Sequence, residues 1–158
     1  MLRKINADYL RNLLFGAEDS LVSTVGVLFG LSSSPDYNSR LLILAGITLI
    51  AVEALSMGVG SYLSEVEVHE TKDGRKHIDS PIIDGIIMLI SYLIFGVITL
   101  APYLLFPISV AKYFSVVITL GFLFIVGYLP TENIRSGIRM LVTAGLAICV
   151  GFLVANIF

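Results

Sequence analysis

Five apolar runs, each long enough to cross a lipid bilayer, leave this chain of 158 residues little choice of fold. A crossing helix needs roughly 20 mainly apolar residues, because the hydrocarbon layer is about 30 Å thick and a helix rises about 1.5 Å per residue. The runs are residues 13–34, 41–63, 82–106, 113–129 and 138–158. Only 14% of the residues are charged, and the mean hydropathy is +0.92. A soluble core of this size has no room to hide so much apolar surface, whereas lipid is itself an apolar solvent. The expected fold is an all-α integral membrane protein, one transmembrane domain over residues 1–158.

The breaks between the runs carry turn chemistry. Ser32 to Asn38 is a short polar loop around Pro35, Pro107 and Ser109 mark the third loop, and Pro130 stops the fourth helix. Residues 65–80 form the longest polar stretch, an expected acidic loop with a turn at Lys72-Asp73-Gly74-Arg75. Positive charge sets the orientation. Arg3, Lys4, Arg11, Lys72, Arg75, Lys76, Arg135 and Arg139 fall on one side, and only Arg40 and Lys112 on the other. Lys and Arg gather on cytoplasmic loops, so the N-terminus is expected in the cytoplasm. Tyr62 and Tyr128 near one interface, and Tyr103 and Tyr113 near the other, suit an aromatic belt. No cleavable leader is visible, so the first helix is expected to stay as an anchor.

The formal net charge of −2 gives no field for binding nucleic acid. The single cysteine, Cys149, excludes a disulfide framework and reads as a small buried packing residue. The two histidines share one loop, no nucleophile–base pair is evident, and no phosphate-cradling motif occurs, so an enzyme is not expected.

Acids within the runs carry the functional signal. A charge at the bilayer centre costs about 2.5–3.5 kcal/mol on insertion scales, and such acids usually face an ion path or a partner. Glu53 lies mid-way along the second run, and Asp19 lies inside the first with Glu18 beside it. Asp84, at the start of the third run, is expected to meet headgroups or cap a helix. Asp19, Ser23, Gly26 and Gly30 recur at helical spacing on one face; Gly46, Glu53, Met57 and Gly60 or Ser64 do so on another. Close helix packing explains small residues on such faces, but it does not require the acids. Two acid-bearing faces meeting would line a path for a cation. Met57, one turn beyond Glu53, adds a thioether, a donor that with carboxylate disfavours Mg²⁺ and Ca²⁺. In the polar stretch Glu65, Glu67, His69, Glu70, Asp73, His77 and Asp79 could draw in divalent cations, although ordinary solvated loop chemistry explains them equally well.

Several of these segments resemble the vacuolar iron transporter family. Gly16 to Ser34 (GAEDSLVSTVGVLFGLSSS) is similar to that family's first helix. Ala45 to Ser64 (AGITLIAVEALSMGVGSYLS) is similar to its second, with the ALSM element intact. Gly96 to Leu104 and Arg135 to Gly151 resemble parts of the third and fifth. The resemblance implies a homodimer of five-helix subunits that exports Fe²⁺ or Mn²⁺ from the cytoplasm in exchange for protons. It places the path at the dimer interface, between first and second helices. It maps the pathway acid onto Asp19 and the pathway methionine onto Met57.

The sequence also departs from the family. Ser20 and Ser61 replace a usual glycine and a frequent glutamate. Leu49 stands where some members carry a glutamate, and Glu53 stands one turn later, where glycine is usual. Residues 65–80 are too short for the metal-binding helical domain that iron-transporting members often insert.

The expected mechanism is antiport, with Asp19, Glu53 and Met57 of two subunits converging at mid-membrane. Glu18, Ser23, Gly26, Gly60 and Ser61 are expected to line the path, with Glu65, Glu67 and Glu70 at its cytoplasmic mouth. A hinge at Pro102 and Pro107, or at the glycines of the first helix, would serve alternating access. The expected partners are divalent metal ions as cargo, protons, lipid and a second copy of the chain, with no cofactor. Rival readings are a membrane assembly protein without transport and a passive cation channel. A short chain without a targeting segment suits a prokaryotic plasma membrane, or a vacuolar membrane in a eukaryote.

Overall fold

The computed structural model describes residues 7–71 and 80–157. Five helices follow in order: α1 (Ala7–Ser33), α2 (Ser39–Glu70), α3 (Pro81–Leu105), α4 (Ile108–Tyr128) and α5 (Ile134–Ile157). All five are long and apolar enough to cross a membrane, and the chain is an all-α integral membrane protein. Arg3, Lys4 and the whole of Lys72 to Asp79, with the turn and His77 expected there, lie outside the described residues.

The helices are longer than the apolar runs. α1 begins at Ala7, with Asp8 in its first turn, where an acid suits the positive end of the helix dipole. α2 does not stop at residue 63. It continues as helix to Glu70, so Glu65, Glu67 and Glu70 belong to a helix and not to a loop. Residues 61–70 contain neither glycine nor proline, and glutamate is a good helix former, so nothing breaks the hydrogen-bond ladder there. The N-terminus of α2 is capped by Asn38, whose Oδ1 accepts from the N–H of Arg40 at 2.9 Å and of Leu41 at 3.2 Å. Asn133 does the same for α5, accepting from the N–H of Arg135 at 3.0 Å. Arg135 is therefore helical, and the third loop shrinks to Phe106 and Pro107. Pro102 lies inside α3, in its last turn.

The hub is α1. It touches each of the other four helices, and half of its apolar window is buried in the bundle, against 6% for α5. α2 leans mainly on α3. Their backbones touch at Gly58 and Gly85, where a Cβ on Gly85 would lie 2.7 Å from the Gly58 carbonyl oxygen. The apolar core has two parts. Leu28, Leu42, Ile50, Leu100, Tyr103 and Ala111 pack toward the end of the bundle where α1 finishes. Leu21, Leu123 and Ala144 pack with Phe95, Phe122 and Met140 deeper along the helices. Hydroxyls tie the helices to one another: Ser20 donates to the Tyr92 carbonyl at 2.7 Å, Ser91 to that of Leu13 at 2.6 Å, and Ser115 to that of Thr99 at 2.8 Å. In lipid such bonds matter because no water competes for the groups. The outer surface is apolar, as for Val142, Leu146, Val150 and Leu153 of α5. Cys149 is exposed on this surface, contrary to the expectation of a buried thiol. On α5 so few positions are buried that the apolar run around Cys149 signals lipid contact and not core.

Candidate functional site

Asp19 of α1 and Glu53 of α2 lie within electrostatic range of each other inside one subunit, both half-buried. Tyr92 of α3 lies in the field of both carboxylates. Its hydroxyl shares a hydrogen bond of 2.8 Å with Ser23 Oγ, one turn along α1 from Asp19. Two carboxylates at such depth suit a proton or a cation, because an unpaired charge in the apolar part of a membrane is costly.

On the side of this pair toward the start of α1, an open groove of about 710 Å³ runs between α1 and α2. Met57, Gly60 and Ser61 line it from α2, and Asn12 and Phe15 from α1. Gly60 has no neighbour within 4 Å of where a Cβ would stand, so it leaves space and makes no packing contact. Met88 of α3 closes the floor and places a second thioether in the groove wall, its sulfur against Gly16.

At the far end of the groove, Arg11 donates from Nη2 to Glu65 Oε1 at 2.6 Å. Its other nitrogen lies 3.6 Å from Asp8. Glu65, expected as an ion-attracting loop acid, is thus a nearly buried helix residue held by a guanidinium. Glu67 and Glu70 are exposed on the same helical extension. Among the described residues, no three His, Cys, Asp or Glu side chains gather closely enough to hold a metal ion.

The small-residue stripe of α1 splits between partners. Gly26 and Gly30 face α5, where a Cβ on Gly26 would lie 3.1 Å from the Ala147 carbonyl oxygen. With Ser23 they line a separate apolar groove of about 700 Å³ between α1 and α5. Gly26, expected along the acid-bearing path, is used for helix packing, because α5 lies against that part of the stripe. Glu18 is not among the residues lining the α1–α2 groove; it lines a shallow recess with Leu10 and Leu14.

Asp84 departs furthest from expectation. It meets neither headgroups nor solvent and is fully buried, with Oδ1 accepting from Asn12 Nδ2. Asn12 Oδ1 in turn accepts from Ser61 Oγ at 3.2 Å, so one amide ties α1, α2 and α3. The spacing of α1 contains this residue: Asn12, Gly16, Asp19 and Ser23 step by four, three and four on one face. On α3, Asp84, Met88, Ser91 and Tyr92 likewise share a buried face.

The chain matches the VIT family over residues 10–75 and 65–156. It is 26% identical over 174 aligned positions to vacuolar iron transporter homolog 2 of Oryza sativa subsp. japonica, covering 96% of this chain and 92% of that protein. It is also 32% identical over 60 positions to vacuolar iron transporter homolog 4 of the same plant, covering 38% of this chain and 28% of the relative. With nearly its whole length matched, the chain belongs to the VIT family.

Proposed function

We propose that this protein carries a divalent transition metal ion, Fe²⁺ or Mn²⁺, out of the cytoplasm in exchange for protons. The observation that carries this reading is the pairing of Asp19 and Glu53 across α1 and α2, with the Met57-lined groove opening beside them. The names of the rice relatives point to iron as cargo. Carboxylate oxygens suit Fe²⁺ and Mn²⁺, and the thioether of Met57 disfavours Mg²⁺ and Ca²⁺. Among the described residues of one subunit, two acids meet here and no three gather, so the reading includes a homodimer in which the partner completes the coordination. Facing the cytoplasm, the acids are ionised and hold the metal; facing the more acidic side, they take up protons and release it. The proposed orientation places the N-terminus, the groove and the Arg11–Glu65 pair on the cytoplasmic side.

The test is metal flux in proteoliposomes with an imposed pH gradient, for wild type, Asp19→Asn and Glu53→Gln. Gradient-driven Fe²⁺ or Mn²⁺ flux that both variants abolish supports the reading. A folded wild type that moves neither ion overturns it in favour of an assembly protein. Flux indifferent to the proton gradient replaces antiport with a channel.

A further inference from the structure

The polar cluster where α1 starts, α2 ends and α3 starts is separate from the Asp19–Glu53 pair, and the transport scheme makes no use of it. We propose that Asp84 is a proton-binding site of the resting protein, a neutral carboxylic acid joined to the α1–α2 groove through Asn12 and Ser61.

The first ground is placement. Asp84 has no exposed surface, and the only hydrogen bond of its side chain among the described residues is the one from Asn12 to Oδ1. Oδ2 is buried with no partner. An ionised carboxylate offers about four acceptor sites and demands donors or a cation for them, whereas the neutral acid demands far less.

The second ground is charge. The groups that face Asp84 electrostatically are Asp8 and Arg11 from α1 and Glu65 from α2. Arg11 is the one cation among these groups. Its donors are directed elsewhere, to Glu65 at 2.6 Å and toward Asp8 at 3.6 Å. Asp84 is the most buried of the three acids and has no ion pair among the described residues, so a proton bound by the cluster resides there.

The third ground is connection. Asn12 is 3% exposed and lines the groove, as does Ser61. The Asn12 amide can serve both forms of the acid. The arrangement in the structure, with Nδ2 donating to Asp84 Oδ1 and Asn12 Oδ1 accepting from Ser61, serves the carboxylate and equally the neutral acid with its proton on Oδ2. With the proton on Asp84 Oδ1 instead, a half-turn of the amide lets Asn12 Oδ1 accept the acid's O–H while Nδ2 donates to Ser61. Protonation from the groove breaks one O–H bond of a hydronium ion there and forms one on the Asp84 carboxylate, and the reverse step returns the proton to water, with the Asn12 amide turning to match. Ser61 lies one helical turn from Met57, so this proton sits beside the proposed route of the metal.

The test is infrared spectroscopy of the metal-free protein in liposomes at neutral pH, in H₂O and D₂O, with and without ¹³C-carboxyl aspartate. Wild type should show a protonated aspartic-acid C=O band that shifts with the label. Asp84→Asn should lose it, and Asn12→Ala should shift it by removing its hydrogen-bond partner. Should Asp84→Asn fail to fold, Asp84→Glu keeps the acid and moves the band out of the labelled set. Absence of any protonated aspartic-acid band in wild type overturns the proposal, as does a band that both Asp84 variants leave unchanged. No metal and no gradient enter the measurement, so a protein that fails to transport metal can still pass it, and one that transports can still fail it.

Discussion

Gly30 of α1 and Gly151 of α5 meet backbone to backbone: a Cβ added at Gly30 would lie 2.7 Å from the Gly151 carbonyl oxygen. The contact fastens the most exposed helix of the bundle to its hub. A side chain at either position must push the two helices apart, and overpacking of this kind costs typically about 1–3 kcal/mol. Gly151→Leu should lower the thermal unfolding temperature in detergent, whereas Gly145→Leu on the same helix should not, because no atom lies within 4 Å of a Cβ there. Equal losses from both would show that α5 is held by something other than this contact.

The Arg11–Glu65 pair is short, but Arg11 is largely exposed, with 60% of its side chain accessible. Exposed pairs contribute about 0–1 kcal/mol. A double-mutant cycle of Arg11→Ala and Glu65→Gln, read by thermal unfolding, should return a coupling in that range that shrinks with added salt. A large, salt-insensitive coupling would mean that the pair is shielded from water.

Met57 is the soft donor of the proposed path. Replacing it by leucine keeps the volume and removes the sulfur. Met57→Leu should weaken Fe²⁺ transport more than Mn²⁺ transport, with a change in their ratio on the order of tenfold, or about 1.4 kcal/mol. Competition flux assays with both ions would read this directly. An unchanged ratio would remove Met57 from ion selection.

Orientation can be read with cysteines. Cys149 lies on the apolar outer surface of α5, out of reach of a charged reagent while lipid covers it, so a charged maleimide should label it only after denaturation. On a Cys149→Ser background, Tyr37→Cys should react from outside intact cells, and Glu67→Cys only after permeabilisation. The reverse pattern would invert the topology and with it the direction of transport.

Hydropathy made the helix count plain, because lipid selects long apolar runs whatever their neighbours. The ends were less legible. Ala7 to Asn12 and Glu65 to Glu70 are polar, so they carry no hydropathy signal, yet their propensity and the Arg11–Glu65 pair extend the helices through them. The acids Asp19 and Glu53 stood out by their cost in lipid, and the structure sets them near each other. The burial of Asp84 depends on where α1 and α2 cross α3, which no local pattern encodes. Asn12 was within reach, since it continues the stripe that includes Asp19. The stripe also announced close packing at Gly26 and Gly30, but periodicity names a face and not the helix that occupies it.

α2 is one unbroken rod of 32 residues. At about 1.5 Å per residue it measures about 48 Å, well beyond the roughly 30 Å of hydrocarbon it must cross. The surplus includes the turns that carry Glu65, Glu67 and Glu70, and no proline or loop interrupts the rod between them and Glu53. The Gly58–Gly85 contact gives it a bearing on α3. α2 thus joins its projecting acidic turns to the half-buried Glu53 by continuous helix, and α3 braces it on both sides of that carboxylate, at Gly58–Gly85 and where Ile50 meets Gly96.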